Sequence, residues 1–190
     1  MKKNNSKARQ IAFYGVISAL MFVFLLIETY LFAFAFGNFT PAILTLPFAI
    51  ALSLYNEKSK AWLGGTVFGC CSFFLAIIIA NAVFINPLIS ILPRVLIGVV
   101  AYFVYWIFSK VFKNVKNNFV KNVLPFSIAG VFGVLTNTVF TITAMWAFDV
   151  TGLSSVMTVI ISFNFLAEVI GAAILLPIYI KTLKRVEKRL

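Results

Sequence analysis

The sequence contains no histidine, a single aspartate and two cysteines, and these shortages remove most of the chemistry open to a chain of its length. Without histidine and with so few carboxylates there is no zinc set, no Ser-His-Asp triad and no aspartyl dyad. No GxxxxGK[ST] run is present to bind a nucleotide through a P-loop. Cys70 and Cys71 are adjacent inside an apolar run, so they read as buried thiols rather than as a disulfide or a metal site. No ring of charges or filter motif points to a channel. Charge itself is scarce, at 11% of residues against 62% hydrophobic, and mean hydropathy is +1.04. A 190-residue chain of that composition cannot hide its apolar surface in a soluble core. It is expected to be an integral membrane protein, not an enzyme, with no cofactor and no metal.

What the chain does have is long apolar runs. They are continuous, whereas a barrel strand would alternate over about ten residues, so helices are predicted. Six spans fit at about 20 residues each: roughly 11–30, 40–55, 61–80, 87–109, 122–147 and 153–180. Together they make one all-α membrane domain over residues 1–190. The run from Ile11 to Tyr30 is longer than a signal core and is followed by no cleavage site, so it is expected to be the first span. The second, "TPAILTLPFAIALSLY", is barely long enough and carries Pro41 and Pro47, which predicts a short, tilted or kinked helix.

Positive charge falls on alternate connections. Lys2, Lys3, Lys7 and Arg9 precede the first span, Lys58 and Lys60 follow the second, Lys110, Lys113, Lys116 and Lys121 follow the fourth, and Lys181, Lys184, Arg185, Lys188 and Arg189 follow the sixth. The connections "GNFT", "NAVFIN" and "DVTGLSS" have none, so both termini are expected in the cytoplasm. The net charge of +11 is then mostly a matter of topology, with attraction to anionic lipid secondary and nucleic acid not expected as a partner.

That layout accounts for every basic residue except Arg94, which sits inside an apolar run where it costs at least about 2.5 kcal/mol. Helical rise puts Arg94 about 24 Å from Lys110, Asn137 about 24 Å from Lys121, and Asn164 and Glu168 about 26 and 20 Å from Lys181. These four polar residues therefore share one layer, with Asn164 and Glu168 on one helix face. They predict a pocket in which Arg94 receives an anionic group such as a carboxylate, while Asn137, Thr136, Thr138, Asn164 and Glu168 meet hydroxyls and amides. The alternative is an internal Arg94–Glu168 ion pair that only holds helices together. Asn86 before Pro87 reads as a helix cap, and Pro93 as a kink beside the pocket. Glu28 fits either an interfacial position or a ligand contact.

Small residues form a second pattern. Ala8, Ala12, Gly15 and Ala19 smooth one face of the first span, and Gly65/Gly69, Gly130/Gly133 and Ala167/Gly171 recur in the third, fifth and sixth. Packing within the chain is the ordinary explanation for each.

The alanine-and-glycine face of "KARQIAFYGVISAL" and the segment "NPLISILPRVLIG", in a six-span chain of this size, resemble the substrate-binding S components of energy-coupling factor transporters, most closely the pantothenate-type members. The resemblance covers essentially the whole chain. It implies a multi-pass protein of the bacterial plasma membrane that captures a vitamin outside the cell and delivers it with a membrane T component and two ABC-type ATPases. Ala8, Ala12, Gly15 and Ala19 would be the T-component docking face. Pantothenate is the favoured vitamin because its carboxylate suits Arg94. Riboflavin is the runner-up, needing Glu168 as a permanent partner for Arg94 and two aromatic walls; folate would need a larger mouth. A reading from another class is an autonomous small carrier or lipid flippase.

Overall fold

The computed structural model describes residues 7–36, 40–55, 58–150, 157 and 163–189, without the side chains of 7–9, 34–36, 58 and 187–189. Its regular structure is helical: α1 (Lys7–Phe36), α2 (Thr45–Tyr55), α3 (Leu63–Ile78), α4 (Pro87–Ser90), α5 (Leu92–Val111), α6 (Asn118–Asn122), α7 (Leu124–Ala147) and α8 (Phe165–Arg189). Four stretches, Gln10–Ala33, Pro87–Asn114, Leu124–Ala147 and Phe165–Val186, are long and apolar enough to cross a bilayer. Most of the first part of the expected sixth span, 153–156 and 158–162, lies outside the described residues, as do 151–152 before it.

Two of the expected spans are shorter than predicted, α2 at 11 residues and α3 at 16. At 1.5 Å per residue α2 covers about 17 Å, roughly half of a hydrocarbon core. It can be that short because every residue from Thr45 to Leu54 is buried, so its ends meet protein rather than lipid. Pro47 does not kink it. The proline sits in the first turn, where its missing N–H is not needed.

Helices α5 and α7 open in the same way. Asn86 accepts from the Leu88 N–H at 3.0 Å and Asn117 from the Phe119 N–H at 2.9 Å, starting α4 and α6. Each short helix stops at one residue, Ile91 (φ −99°) or Val123 (φ −111°), and a Leu-Pro pair then starts the long helix. The expected break near Pro93 therefore falls at Ile91, and the proline occupies the first turn of α5. Pro177 lies inside α8 and cannot donate to the Ala173 carbonyl. Ser127 on α7 donates to that carbonyl instead, at 2.8 Å, which satisfies it in an apolar setting and joins the two helices.

The small-residue faces of α3, α7 and α8 are taken up by these crossings. A methyl group on Gly65 would overlap the Arg94 carbonyl oxygen, and one on Gly69 would lie 2.9 Å from Ile91 Cα, so α3 packs against the start of α5 on bare backbone. Gly130 faces Ala172 of α8 at 3.1 Å and Gly171 faces the Ile43 carbonyl at 3.0 Å. Gly15 of α1 differs, having nothing within 4 Å of where its Cβ would be. Helix α1 is also the least embedded of the long helices, with 17% of its apolar stretch buried against 44% for those of α5 and α7.

Candidate ligand site

A cavity opens between the helices at the end of the bundle away from Lys110, Lys121 and Lys181. Leu25 and Thr29 of α1, Thr40 and Ala42 before α2, Phe68 and Ser72 of α3, Asn81 and Phe84 of the α3–α4 connection, and Arg94 of α5 line it. Asn137, Thr138 and Thr141 of α7, Asn164 just before α8 and Glu168 of α8 also line it. Asn81 reaches the cavity through a tight helix stop: Ala80 takes a left-handed conformation (φ 53°), and the Asn81 N–H donates to the Ala76 carbonyl at 2.9 Å.

Arg94 is 7% exposed. Its guanidinium carbon lies 4.8 Å from the Phe68 ring centre and 5.2 Å from that of Phe84. Each contact is worth about 0.5–2 kcal/mol, more where water is excluded. Nη1 donates to the Ser90 carbonyl at 2.6 Å, one turn back across the α4–α5 break. Nε is buried and has no hydrogen-bond partner among the described residues. Among the described residues Arg94 and Glu168 form no ion pair. Glu168, 6% exposed, accepts instead from the Ala42 N–H at 2.9 Å and bonds the Asn137 side chain. A direct Arg94–Glu168 salt bridge is therefore absent, although the two charges still interact through space, and the guanidinium is held by two rings and one carbonyl.

The unused polar atoms converge. Among the described residues Arg94 Nε, Asn137 Oδ1 and Thr141 Oγ1 are buried without hydrogen-bond partners, and all three residues line the same cavity. A buried polar group left unmade costs about 1–3 kcal/mol, so a molecule that supplies an acceptor to Nε and a donor to Oδ1 recovers that energy. The lining thus suits a ligand with an anionic or strongly accepting end and with hydroxyl or N–H groups as well.

Of the expected site residues, Arg94, Asn137, Thr138, Asn164 and Glu168 line the cavity and Thr136 does not. Successive helix positions turn by about 100°, and residue 136 falls on the far side of Asn137 from Thr138 and Thr141. Its hydroxyl donates to the Phe132 carbonyl at 2.7 Å. Thr29, Thr40, Ser72, Asn81 and Thr141 were not anticipated, nor was the Phe68–Phe84 pair. Glu28 is neither interfacial nor a lining residue: it is 1% exposed and accepts from the Leu44 N–H and the Thr45 hydroxyl. On α1, Ala12, Gly15 and Ala19 are exposed, while the side chain of Ala8 lies outside the described residues.

A multi-pass helical chain of the cell membrane with a polar cavity among its helices has the build of a transport protein rather than an enzyme. No family model matches it. Over 196 aligned positions, 92% of this chain and 92% of the relative, it is 29% identical to the pantothenic acid transporter PanT of Lactococcus lactis subsp. cremoris. That similarity bears out the resemblance to the S components of energy-coupling factor transporters.

Proposed function

We propose that the chain is the substrate-capture subunit of an energy-coupling factor transporter and that its ligand is pantothenate. The chain acts as one domain of six spans, with both termini cytoplasmic and the cavity facing outward. The observation that carries this reading is that Arg94 and Asn137, whose buried Nε and Oδ1 have no hydrogen-bond partner among the described residues, line one cavity at the end remote from the lysines. Pantothenate has a carboxylate for the first and hydroxyl and amide N–H groups for the second, with Thr138, Thr141, Asn164 and Glu168 beside them. Riboflavin is disfavoured, because the two rings nearest Arg94 face its guanidinium and Glu168 is committed to Ala42.

For the partners, the supporting observation is the contrast between glycines. Those of α3, α7 and α8 pack against neighbouring parts of the chain, whereas the Ala12–Gly15–Ala19 face of α1 is open and smooth enough for a helix of the T component to approach closely. The two ABC-type ATPases would then couple through that component. Gly15→Leu is expected to abolish uptake by cells and co-purification of the T component and ATPases, while leaving the pantothenate Kd of the isolated protein within about twofold, since the site lies at the other end of α1. Loss of binding together with transport contradicts the docking role. Mass spectrometry of the small molecule retained after mild purification is the direct test of the ligand, and a neutral ligand with no carboxylate contradicts it.

A further inference from the structure

Glu28 is the buried carboxylate that the ligand reading leaves unused. Leu44 donates its N–H to Oε1, Thr45 donates its hydroxyl to Oε2, and the Thr45 N–H lies 3.4 and 3.3 Å from the two oxygens. These donors are the N-terminus of α2, where a negative group also meets the positive end of the helix dipole. Two residues before Leu44, the Ala42 N–H donates to Glu168 at 2.9 Å. The segment from Thr40 to Thr45 is therefore hung between carboxylates of two different helices, α1 and α8.

What lies on either side of that attachment is the cavity wall. Thr29, next to Glu28, and Leu25, one turn before it, line the cavity from α1; Thr40 and Ala42 line it from the suspended segment. Helix α1 has less packing to hold it than any other long helix, and part of its length has open space at Gly15. The position of its Thr29 end relative to the rest of the wall depends on a polar attachment, and Glu28 supplies one.

We propose that Glu28 is a positioning residue of the ligand site, latching the end of α1 to the N-terminus of α2 so that the wall made by Leu25, Thr29, Thr40 and Ala42 is held closed over the ligand. Glu28 touches no ligand. It acts by deciding where Thr29 and Thr40 stand. The inference rests on the reading of the cavity as the pantothenate site, so it is tested by two readouts, one of which needs no ligand.

The full-length protein in detergent is compared with Glu28→Met, which keeps length and removes both acceptors, Glu28→Gln, which keeps one acceptor, and Thr45→Val. Pantothenate Kd is measured by calorimetry. In parallel, with Cys70 and Cys71 replaced by alanine, a cysteine placed at Thr40 is titrated with a bulky hydrophilic thiol reagent to read how open the wall is without ligand. Glu28→Met is expected to raise Kd and the Thr40 labelling rate about tenfold or more, with Glu28→Gln restoring most of both and Thr45→Val falling between. A merely space-filling role predicts that methionine is tolerated. Unchanged labelling and Kd in Glu28→Met overturn the latch, as does a Glu28→Gln variant no better than Glu28→Met. If Glu28→Met does not fold, Thr45→Val decides, and wild-type values on both readouts overturn the latch. If the wild-type protein binds no pantothenate, the ligand reading fails while the labelling rates still decide the latch.

Discussion

Arg94→Ala is expected to weaken pantothenate binding about 30-fold or more, corresponding to loss of a charge-assisted hydrogen bond of about 2 kcal/mol. The size follows from how the guanidinium is held. Phe68 and Phe84 both lie against the guanidinium and Ser90 engages Nη1, so its position is largely set before a carboxylate arrives and little ordering is needed. Arg94→Lys keeps charge but loses the planar fork, and an intermediate loss is expected. Folding should move the other way. A buried cation with an unmade donor destabilises the unliganded chain, so Arg94→Met is expected to match or exceed the wild type in melting temperature while losing the ligand. Calorimetry and thermal unfolding of the purified variants read the two effects separately.

Gly65→Ala is expected to lower stability by about 1–3 kcal/mol, the range for forcing a methyl group into a packed crossing. Here the atom in the way is the carbonyl oxygen of Arg94 itself, part of a helix backbone that cannot rotate aside as a side chain could. Relief requires α3 and the start of α5 to move apart, which shifts Arg94 away from Phe68 on α3. Stability and pantothenate affinity should therefore fall together, in contrast to Arg94→Met, where only affinity falls. Gly15→Ala is the control, since its methyl group meets nothing within 4 Å. A Gly65→Ala variant with wild-type melting temperature and Kd would refute the close α3–α5 approach.

The part of the site that was legible in the sequence was the part carried by rare residues. One arginine outside an otherwise regular charge layout, and three further polar residues at matching heights, located the cavity's layer through helical rise alone. Rare positions also revealed Asn86 as a cap, because Asn-Pro before an apolar run has one strong local explanation. Common residue types did not announce themselves. Hydroxyls such as Thr29, Ser72 and Thr141 bond their own helix readily in apolar segments, so Thr136, which does so, and Thr141, which faces the cavity, look alike until the helix rotation is known. Phe68 and Phe84 were hidden among 22 phenylalanines. Glu28 was ambiguous because its partners, Leu44 and Thr45, sit 16 and 17 residues away across a turn whose geometry no local pattern encodes. The helices of the second and third spans are shorter than expected, and for the second the reason is that burial by its neighbours lifts the length requirement that the lipid imposes.

The alanine-and-glycine face of α1 is open at Gly15, and the far end of the helix brings Thr29 to the cavity and Glu28 to the N-terminus of α2.

The most direct test of the arginine–carboxylate pairing is a two-by-two titration, with wild-type protein and Arg94→Ala each measured against pantothenate and against its neutral alcohol analogue, in which CH2OH replaces the carboxylate. The wild type is predicted to prefer the acid by about 30-fold or more, and Arg94→Ala to bind both forms about equally weakly. A wild-type protein that does not distinguish acid from alcohol, or a variant that keeps the preference, would contradict the account.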